Sequence, residues 1–122
     1  MTLRWAARIV LAVSVVVITD LALQPGPDLP GSLLGSDKVE HAVAFLALAV
    51  LCRLSWPRLS AWLVAPLLLT YGFGIEVAQA SLTTGRTASL ADLAADAAGL
   101  LAGLILVRLF RHRPGHHNSH PQ

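Results

Sequence analysis

Four apolar segments, separated by polar or proline- and glycine-rich connections, follow one another along the chain. They run from about 5 to 23, 38 to 54, 60 to 82 and 88 to 110. A helix needs roughly 20 apolar residues to cross the hydrocarbon core of a bilayer. The second segment is short, but the charged residues at its start can extend toward the interface and lengthen it. The pattern therefore predicts an all-α bundle of four transmembrane helices within residues 1–110.

Composition favours a membrane protein over a soluble domain. Of the 122 residues, 55% are hydrophobic and 13% are charged, and the mean hydropathy is +0.64, whereas about one quarter of the residues of a soluble domain are charged. The net charge of +2 is small and the basic residues lie at the helix ends, so no nucleic-acid-binding surface is indicated. The single cysteine, Cys52, excludes a disulfide framework and a thiolate metal cluster.

The first segment has two interpretations. Arg4 and Arg8 precede an apolar centre, as in a signal peptide, but residues 20–24 lack the small-x-small pattern of a cleavage site. We therefore expect an uncleaved helix. In both interpretations the chain that follows emerges on the outer side of the membrane.

The basic residues predict the orientation of the bundle. With the N-terminus inside, seven of the nine basic residues are cytoplasmic, and Lys38 and Arg86 are outside. Cytoplasmic loops carry an excess of lysine and arginine, and the opposite orientation would reverse this bias. Both termini are therefore predicted to be cytoplasmic. Residues 111–122, which hold four of the five histidines, are expected to form a disordered, basic, histidine-rich tail.

This topology brings seven polar residues to the outer end of the bundle, where the second and fourth helices begin and the third helix ends. They are Lys38, His41, Glu76, Gln79, Arg86, Asp92 and Asp96. Ionisable residues in membrane helices are costly and mark functional sites. These seven are therefore the candidate ligand-binding residues.

Three interpretations of these residues stay open. They can pair with one another, with Lys38 or Arg86 compensating the carboxylates. They can form a pocket in which Lys38 and Arg86 face a phosphate or carboxylate, while Glu76 and Asp92 face an amine or hydroxyl groups. They can also be catalytic, with Glu76 or His41 as a general base. One histidine with scattered carboxylates lacks the spacing of a recognised metal site, so neither a metal nor a cofactor is predicted.

The fourth segment also carries a Gly99-x-x-x-Gly103 pattern. Small residues at this spacing let another helix approach closely within a membrane. The partner can be a helix of the same chain or of a second copy. A homo-oligomer through these glycines is therefore one expectation.

The polar residues resemble those of the VanZ-like family. The matching features are Asp37-Lys38 with His41 and Phe45, Glu76-x-x-Gln79, Arg86, and Asp92-x-x-x-Asp96 followed by Gly99 and Gly103, within residues 37–106. The family pattern often has asparagine where this chain has Asp96. The resemblance implies a small multi-pass protein of the cytoplasmic (inner) membrane of a bacterium. The namesake is associated with low-level resistance to the glycopeptide teicoplanin, which acts at the outer face of that membrane.

These expectations combine into one functional hypothesis with two alternatives. The protein is expected to bind or shield an envelope ligand, either a glycopeptide or a lipid-linked intermediate, at the outer leaflet without catalysing a reaction. The first alternative is an intramembrane enzyme that acts on a lipid-linked envelope substrate, with Glu76 and His41 in acid/base roles. The second alternative is a structural subunit of a membrane complex.

Overall fold

Helices account for all the regular secondary structure in the residues that the structure describes, which are 2–24, 37–82 and 90–111. In this computed structural model α1 spans Leu3–Ala22, α2 spans Asp37–Ser55, α3 spans Ala61–Ser81 and α4 spans Leu90–Arg111. Each helix begins and ends within two residues of the bounds of one of the four predicted apolar segments. The all-α prediction is therefore confirmed, while the predicted tail after Arg111 lies outside the described residues.

Three of the four helices, α1, α3 and α4, are long and apolar enough to cross a membrane. Charged residues lie at both ends of α2, with Asp37, Lys38 and Glu40 at its start and Arg53 near its end. Length and composition therefore confirm three candidate spans. A span at α2 stays a prediction, as does the orientation of the termini.

The third helix continues without a break through a proline. Its first turn is capped by the Ser60 hydroxyl, which accepts a hydrogen bond from the Trp62 amide at 3.2 Å. Pro66 follows one turn later, and the Thr70 hydroxyl donates to the Pro66 carbonyl at 2.7 Å. The helix then runs to Ser81, so it reaches the end of the bundle where the polar residues lie.

The second helix contacts each of the other three helices, and its contact with α4 is the most extensive. Phe45, Leu48 and Ala49 of α2 form the core with Val64 of α3 and Leu100 of α4. Large apolar side chains of the other helices are exposed, among them Val16, Trp62, Leu67, Ile105 and Leu109. An apolar outer surface of this extent marks a region that contacts lipid or another protein.

The two glycines of α4 lie where this helix approaches α2. A Cβ atom on Gly99 would overlap the carbonyl oxygen of Ala42. A Cβ atom on Gly103 would lie 2.6 Å from the carbonyl oxygen of Leu46 and 2.9 Å from Cβ of Ala49. Both glycines therefore pack against a helix of the same chain. This was one of the two partners that the sequence left open, the other being a helix of a second copy. Association of copies through them stays a prediction.

Contacts between the helices define their directions. The second and fourth helices start at the same end of the bundle, where His41 contacts Asp96. The first and third helices finish at that end, since Gln79 of α3 binds the carbonyl group of Ala22 in α1. Helices that are consecutive in the chain are therefore antiparallel, and polar residues of three helices meet at one end.

The opposite end of the bundle contains the arginines of the described residues, and we call it the arginine end. Arg8 of α1 donates to the Ser55 carbonyl at 3.1 Å. Arg111 of α4 donates to the carbonyl oxygens of Pro57 and Arg53 at 3.0 and 2.9 Å. These bonds satisfy carbonyl groups at the end of α2 and in the turn that follows. The described arginines at this end are Arg4, Arg8, Arg53, Arg58, Arg108 and Arg111.

Candidate functional site

Six of the seven candidate residues lie in the described part of the chain, and three helices bring them to one end of the bundle. We call these six the polar cluster: Lys38 and His41 of α2, Glu76 and Gln79 of α3, and Asp92 and Asp96 of α4. The four residues contributed by α3 and α4 are buried, with at most 7% of their surface exposed. Arg86 lies outside the described residues.

His41 and Asp96 form the shortest polar contact of the cluster. Nδ1 of His41 lies 2.8 Å from Oδ1 of Asp96, a residue that is 1% exposed. A carboxylate only accepts hydrogen bonds, so Nδ1 is the donor when Asp96 is ionised. This bond fixes the orientation of the imidazole ring, and its Nε2 atom then lies 3.9 Å from Oδ2 of Asp92.

Asp92 connects the polar cluster to the surface of the bundle. Its Oδ1 atom lies 3.7 Å from Nζ of Lys38, and the Lys38 side chain is 58% exposed. Ion pairs with an exposed partner contribute about 0–1 kcal/mol. The pair therefore positions Lys38 at the outer edge of the cluster and adds little to stability.

Glu76 is the carboxylate that α3 contributes. One of its carboxylate oxygens, a ring nitrogen of His41 and a carboxylate oxygen of Asp96 all lie within 4.8 Å of one another. Three helices therefore place one imidazole and two carboxylates in a small buried volume. Such a set can bind a cation, an amine or a hydroxyl group, and it can exchange protons with a substrate.

Gln79 has a structural contact in addition to its place in the polar cluster. Its Nε2 atom donates to the Ala22 carbonyl at 2.9 Å. That carbonyl lies in the last turn of α1, where carbonyl groups have no partner within the helix. The Oε1 atom of Gln79 is buried and accepts no hydrogen bond from the described residues. Gln79 therefore holds α1 against α3 and retains one buried acceptor.

Gly72 makes room for Asp96, a role that the sequence alone does not reveal. A Cβ atom on Gly72 would lie 2.9 Å from Oδ2 of Asp96 and 3.1 Å from the Phe45 ring. The i, i+4 spacing of Gly72 and Glu76 places both on one face of α3. That spacing is the only indication in the sequence that Gly72 lies near the polar residues. It does not show which neighbouring side chain fills the space beside the glycine.

A hydrogen-bonded pair also joins α1 to α3. The hydroxyl oxygens of Thr19 and Tyr71 are 2.5 Å apart, and the Tyr71 hydroxyl donates to the Val15 carbonyl at 3.3 Å. The Tyr71 ring packs on Phe45, with 6.0 Å between the ring centroids. No motif of the sequence pointed to this pair. These contacts hold α1 beside Tyr71, whose ring packs on Phe45, one helical turn after His41 in α2.

Comparison with known proteins finds one family for the chain. A family model described as VanZ/LLP1 matches residues 4–111. No curated protein and no solved structure matches the chain. The resemblance carried by the motifs within residues 37–106 is therefore confirmed, and the match extends it to α1.

Proposed function

Because the chain belongs to the VanZ/LLP1 family, we propose that it is a multi-pass protein of a bacterial cytoplasmic membrane whose polar cluster binds a ligand at the outer leaflet. In this proposal all four helices span the membrane. Both termini lie in the cytoplasm, and the polar cluster faces the cell envelope.

The length of α2 and the position of its charges support a fourth span. Its 19 residues form a helix of roughly 28 Å at a rise of 1.5 Å per residue, close to the hydrocarbon thickness of a bilayer. Residues 41–52 contain no aspartate, glutamate, lysine or arginine. Charged residues near the two ends of a membrane helix can reach the interface. Leu48 and Ala49, in the middle of α2, are completely buried among the other helices.

The distribution of charge supports the orientation. All the described arginines lie at the arginine end, whereas the buried carboxylates Glu76, Asp92 and Asp96 lie at the other end. Arginine and lysine accumulate on the cytoplasmic side of membrane proteins. We therefore assign the arginine end to the cytoplasm.

Reporter fusions test this orientation. A fusion after Leu54 should report a cytoplasmic position and a fusion after Arg86 an external one, because α3 crosses the membrane between them. Alkaline phosphatase, which is active only outside, and a fluorescent protein that folds only inside give opposite signals at each position. A cytoplasmic signal after Arg86 would overturn the assignment of the polar cluster to the outer leaflet.

The convergence of His41, Glu76 and Asp96 from three helices is the observation that carries the binding proposal. Ionisable groups at membrane depth are expensive and mark functional sites. Among the described residues, the polar cluster combines three buried carboxylates with the Lys38 ammonium group and the His41 imidazole. It suits a ligand with an amine or several hydroxyl groups, such as the sugar head group of a lipid-linked intermediate or a glycopeptide.

Complementation of a deletion strain tests the binding proposal. Deletion is expected to change susceptibility to at least one envelope-targeting antibiotic, teicoplanin included, and the wild-type chain should restore it. Glu76→Gln should complement poorly at an unchanged membrane level, because it removes one buried charge without changing the size of the side chain. Glu40→Gln is the matched control on α2, outside the group formed by His41, Glu76 and Asp96, and should complement fully.

Two outcomes of that panel would contradict the proposal. Full complementation by Glu76→Gln would remove this residue from the ligand site. Unchanged susceptibility after deletion, across antibiotics that act at each stage of envelope synthesis, would remove the link to those antibiotics.

The hydrogen bond from His41 to Asp96 favours a second candidate function, an enzyme that acts on a lipid-linked envelope substrate. Asp96 orients the imidazole ring, and Glu76 supplies a second acid/base group in the same volume. Purified protein should then convert a component of an envelope lipid extract, and His41→Ala should stop the conversion. If the wild-type chain gives no product from the whole extract, the enzyme proposal is wrong.

A further inference from the structure

We propose that a cleft at the arginine end binds the head group of an anionic phospholipid from the leaflet at that end. The cleft has a volume of about 560 Å³ and lies where the start of α1 meets the ends of α2 and α4. Three arginines line it together with Trp5: Arg4 and Arg8 of α1 and Arg111 of α4. The cleft is therefore basic, and it lies at the opposite end of the bundle from the polar cluster.

The positive charges around the cleft have no carboxylate beside them in the described part of the chain. The described aspartates and glutamates lie in the last turn of α1, the first two turns of α2 and α4, and the second half of α3, all toward the other end. Arg8 and Arg111 donate instead to neutral carbonyl groups, and Arg4 makes no hydrogen bond to a described residue. Uncompensated charges of one sign around a cleft attract a ligand of the opposite sign.

Arg8 is held in a fixed position at the cleft. Its guanidinium carbon lies 4.9 Å from the centroid of the Trp5 ring and 5.1 Å from that of the Trp56 ring, within the range of a cation–π contact. Its Nε atom donates to the Ser55 carbonyl at 3.1 Å. The two terminal nitrogens make no hydrogen bond to the described residues. Guanidinium groups bind phosphate oxygens through such paired donors, so Arg8 is preorganised for a phosphate group.

An exposed apolar face of α1 continues from the cleft and favours a lipid over a free phosphate ion. Trp5, Ile9, Val13 and Val16 share this face by their helical spacing, and each is more than half exposed. Indole side chains are typical of the membrane interface, and the aliphatic side chains that follow would contact acyl chains. A phospholipid therefore uses both the arginines and the apolar face, whereas a free phosphate ion uses only the arginines.

The membrane supplies a ligand of this chemistry. Basic pockets between membrane helices on the cytoplasmic side bind anionic lipid head groups, and the cytoplasmic leaflet is negatively charged. In the orientation proposed above, the arginine end faces that leaflet. The inference goes beyond the proposed function, because no residue of the polar cluster takes part in it.

Fluorescence quenching in vesicles tests the proposal. Trp62, which is 90% exposed, is replaced by phenylalanine so that Trp5 and Trp56 remain as the reporters beside the cleft. The full chain is placed in phosphatidylcholine vesicles that contain a minor fraction of either brominated phosphatidylglycerol or brominated phosphatidylcholine. We expect a relative affinity for phosphatidylglycerol that is roughly fivefold or more higher, seen as stronger quenching. Equal quenching by the two brominated lipids would overturn the proposal.

Variants show whether the cleft is responsible for the preference. The double variant Arg4→Gln, Arg8→Gln should lose most of it. The matched control is Arg58→Gln, Arg108→Gln, which removes the same charge from the same end outside the cleft and should keep most of the preference. An equal loss in both would indicate general attraction to a basic surface and contradict the site. If the cleft variant fails to fold, Arg4→Gln and Arg58→Gln alone make the same comparison, because Arg4 makes no hydrogen bond to a described residue.

A competition experiment identifies the source of the phosphate group. Inorganic phosphate added at constant ionic strength, with chloride as the replaced anion, should leave the preference for phosphatidylglycerol unchanged. Its loss would assign the cleft to free phosphate and remove the lipid from the proposal. The proposed function is tested separately, since complementation by Glu76→Gln concerns the other end of the bundle. Absence of a lipid preference would leave that result unaffected, and full complementation by Glu76→Gln would leave the lipid site in place.

Discussion

Gly99→Ala is expected to lower the free energy of unfolding by at least about 2 kcal/mol. The added Cβ atom would overlap the carbonyl oxygen of Ala42, and it would also lie 2.6 and 2.7 Å from the carbonyl carbon and Cα of the same residue. These are backbone atoms, so no change of rotamer relieves the overlap. The second helix must instead move away from α4, which opens the core around Phe45 and Leu100.

Two other glycines calibrate this effect. Gly103→Ala should destabilise less, because its Cβ atom would lie 2.6 Å from the Leu46 carbonyl oxygen. Gly74→Ala should be neutral or slightly stabilising, since no atom lies within 4 Å of its added Cβ and alanine gains about 1 kcal/mol over glycine within a helix. Reversible unfolding in detergent micelles, followed by circular dichroism, gives the three values. Equal stability of the Gly99 and Gly74 variants would contradict the close approach of α2 and α4.

Asp96→Leu is expected to lower the free energy of unfolding by about 3–5 kcal/mol. The substitution removes the acceptor that His41 Nδ1 contacts at 2.8 Å and leaves the imidazole beside an apolar side chain. Asp96→Asn should cost only about 1 kcal/mol, because the amide oxygen can still accept that hydrogen bond. The same unfolding measurement tests both variants.

A double-mutant cycle isolates this contact from the other effects of each substitution. His41→Ala and Asp96→Ala, measured separately and together, should show a coupling of about 1–3 kcal/mol. Coupling near zero would mean that the pair does not hold α2 to α4. Asp20→Asn is the matched control, since Asp20 is an exposed aspartate of α1 whose described partner is Gln24.

Asp96→Asn also separates pairing from function. If the carboxylates of the polar cluster only pair with neighbouring groups, the folded Asp96→Asn variant should complement the deletion strain as well as the wild-type chain does. If the negative charge binds a ligand or an ion, the same variant should be stable but complement poorly. The substitution keeps the size of the side chain and removes only its charge, so the two outcomes distinguish pairing from binding at this position.

The four helices were predictable from the sequence because a membrane restricts the length and composition of the helices that can cross it. Roughly 20 apolar residues are needed to cross the hydrocarbon core, and proline and glycine mark the connections between segments. The members of the polar cluster were predictable for a related reason. Consecutive membrane helices alternate in direction, so their order alone places His41, Glu76 and Asp96 at one end.

The sequence did not reveal which of these residues touch. The pairing of His41 with Asp96, the bond from Gln79 to Ala22 and the space that Gly72 leaves each join residues far apart in the chain. Each depends on how a helix is rotated about its own axis. In a soluble bundle an apolar stripe indicates that rotation.

Only the tertiary structure decided the rotation of these helices. They are apolar on most sides, and lipid is as apolar as a protein core, so the hydrophobic pattern does not distinguish an inward face from an outward one. The inward faces are instead set by close packing, as where Gly99 meets Ala42, and by buried hydrogen bonds, as between His41 and Asp96. The sequence by itself therefore determined the helices and the end at which the polar residues gather, whereas tertiary contacts determined the geometry of the site.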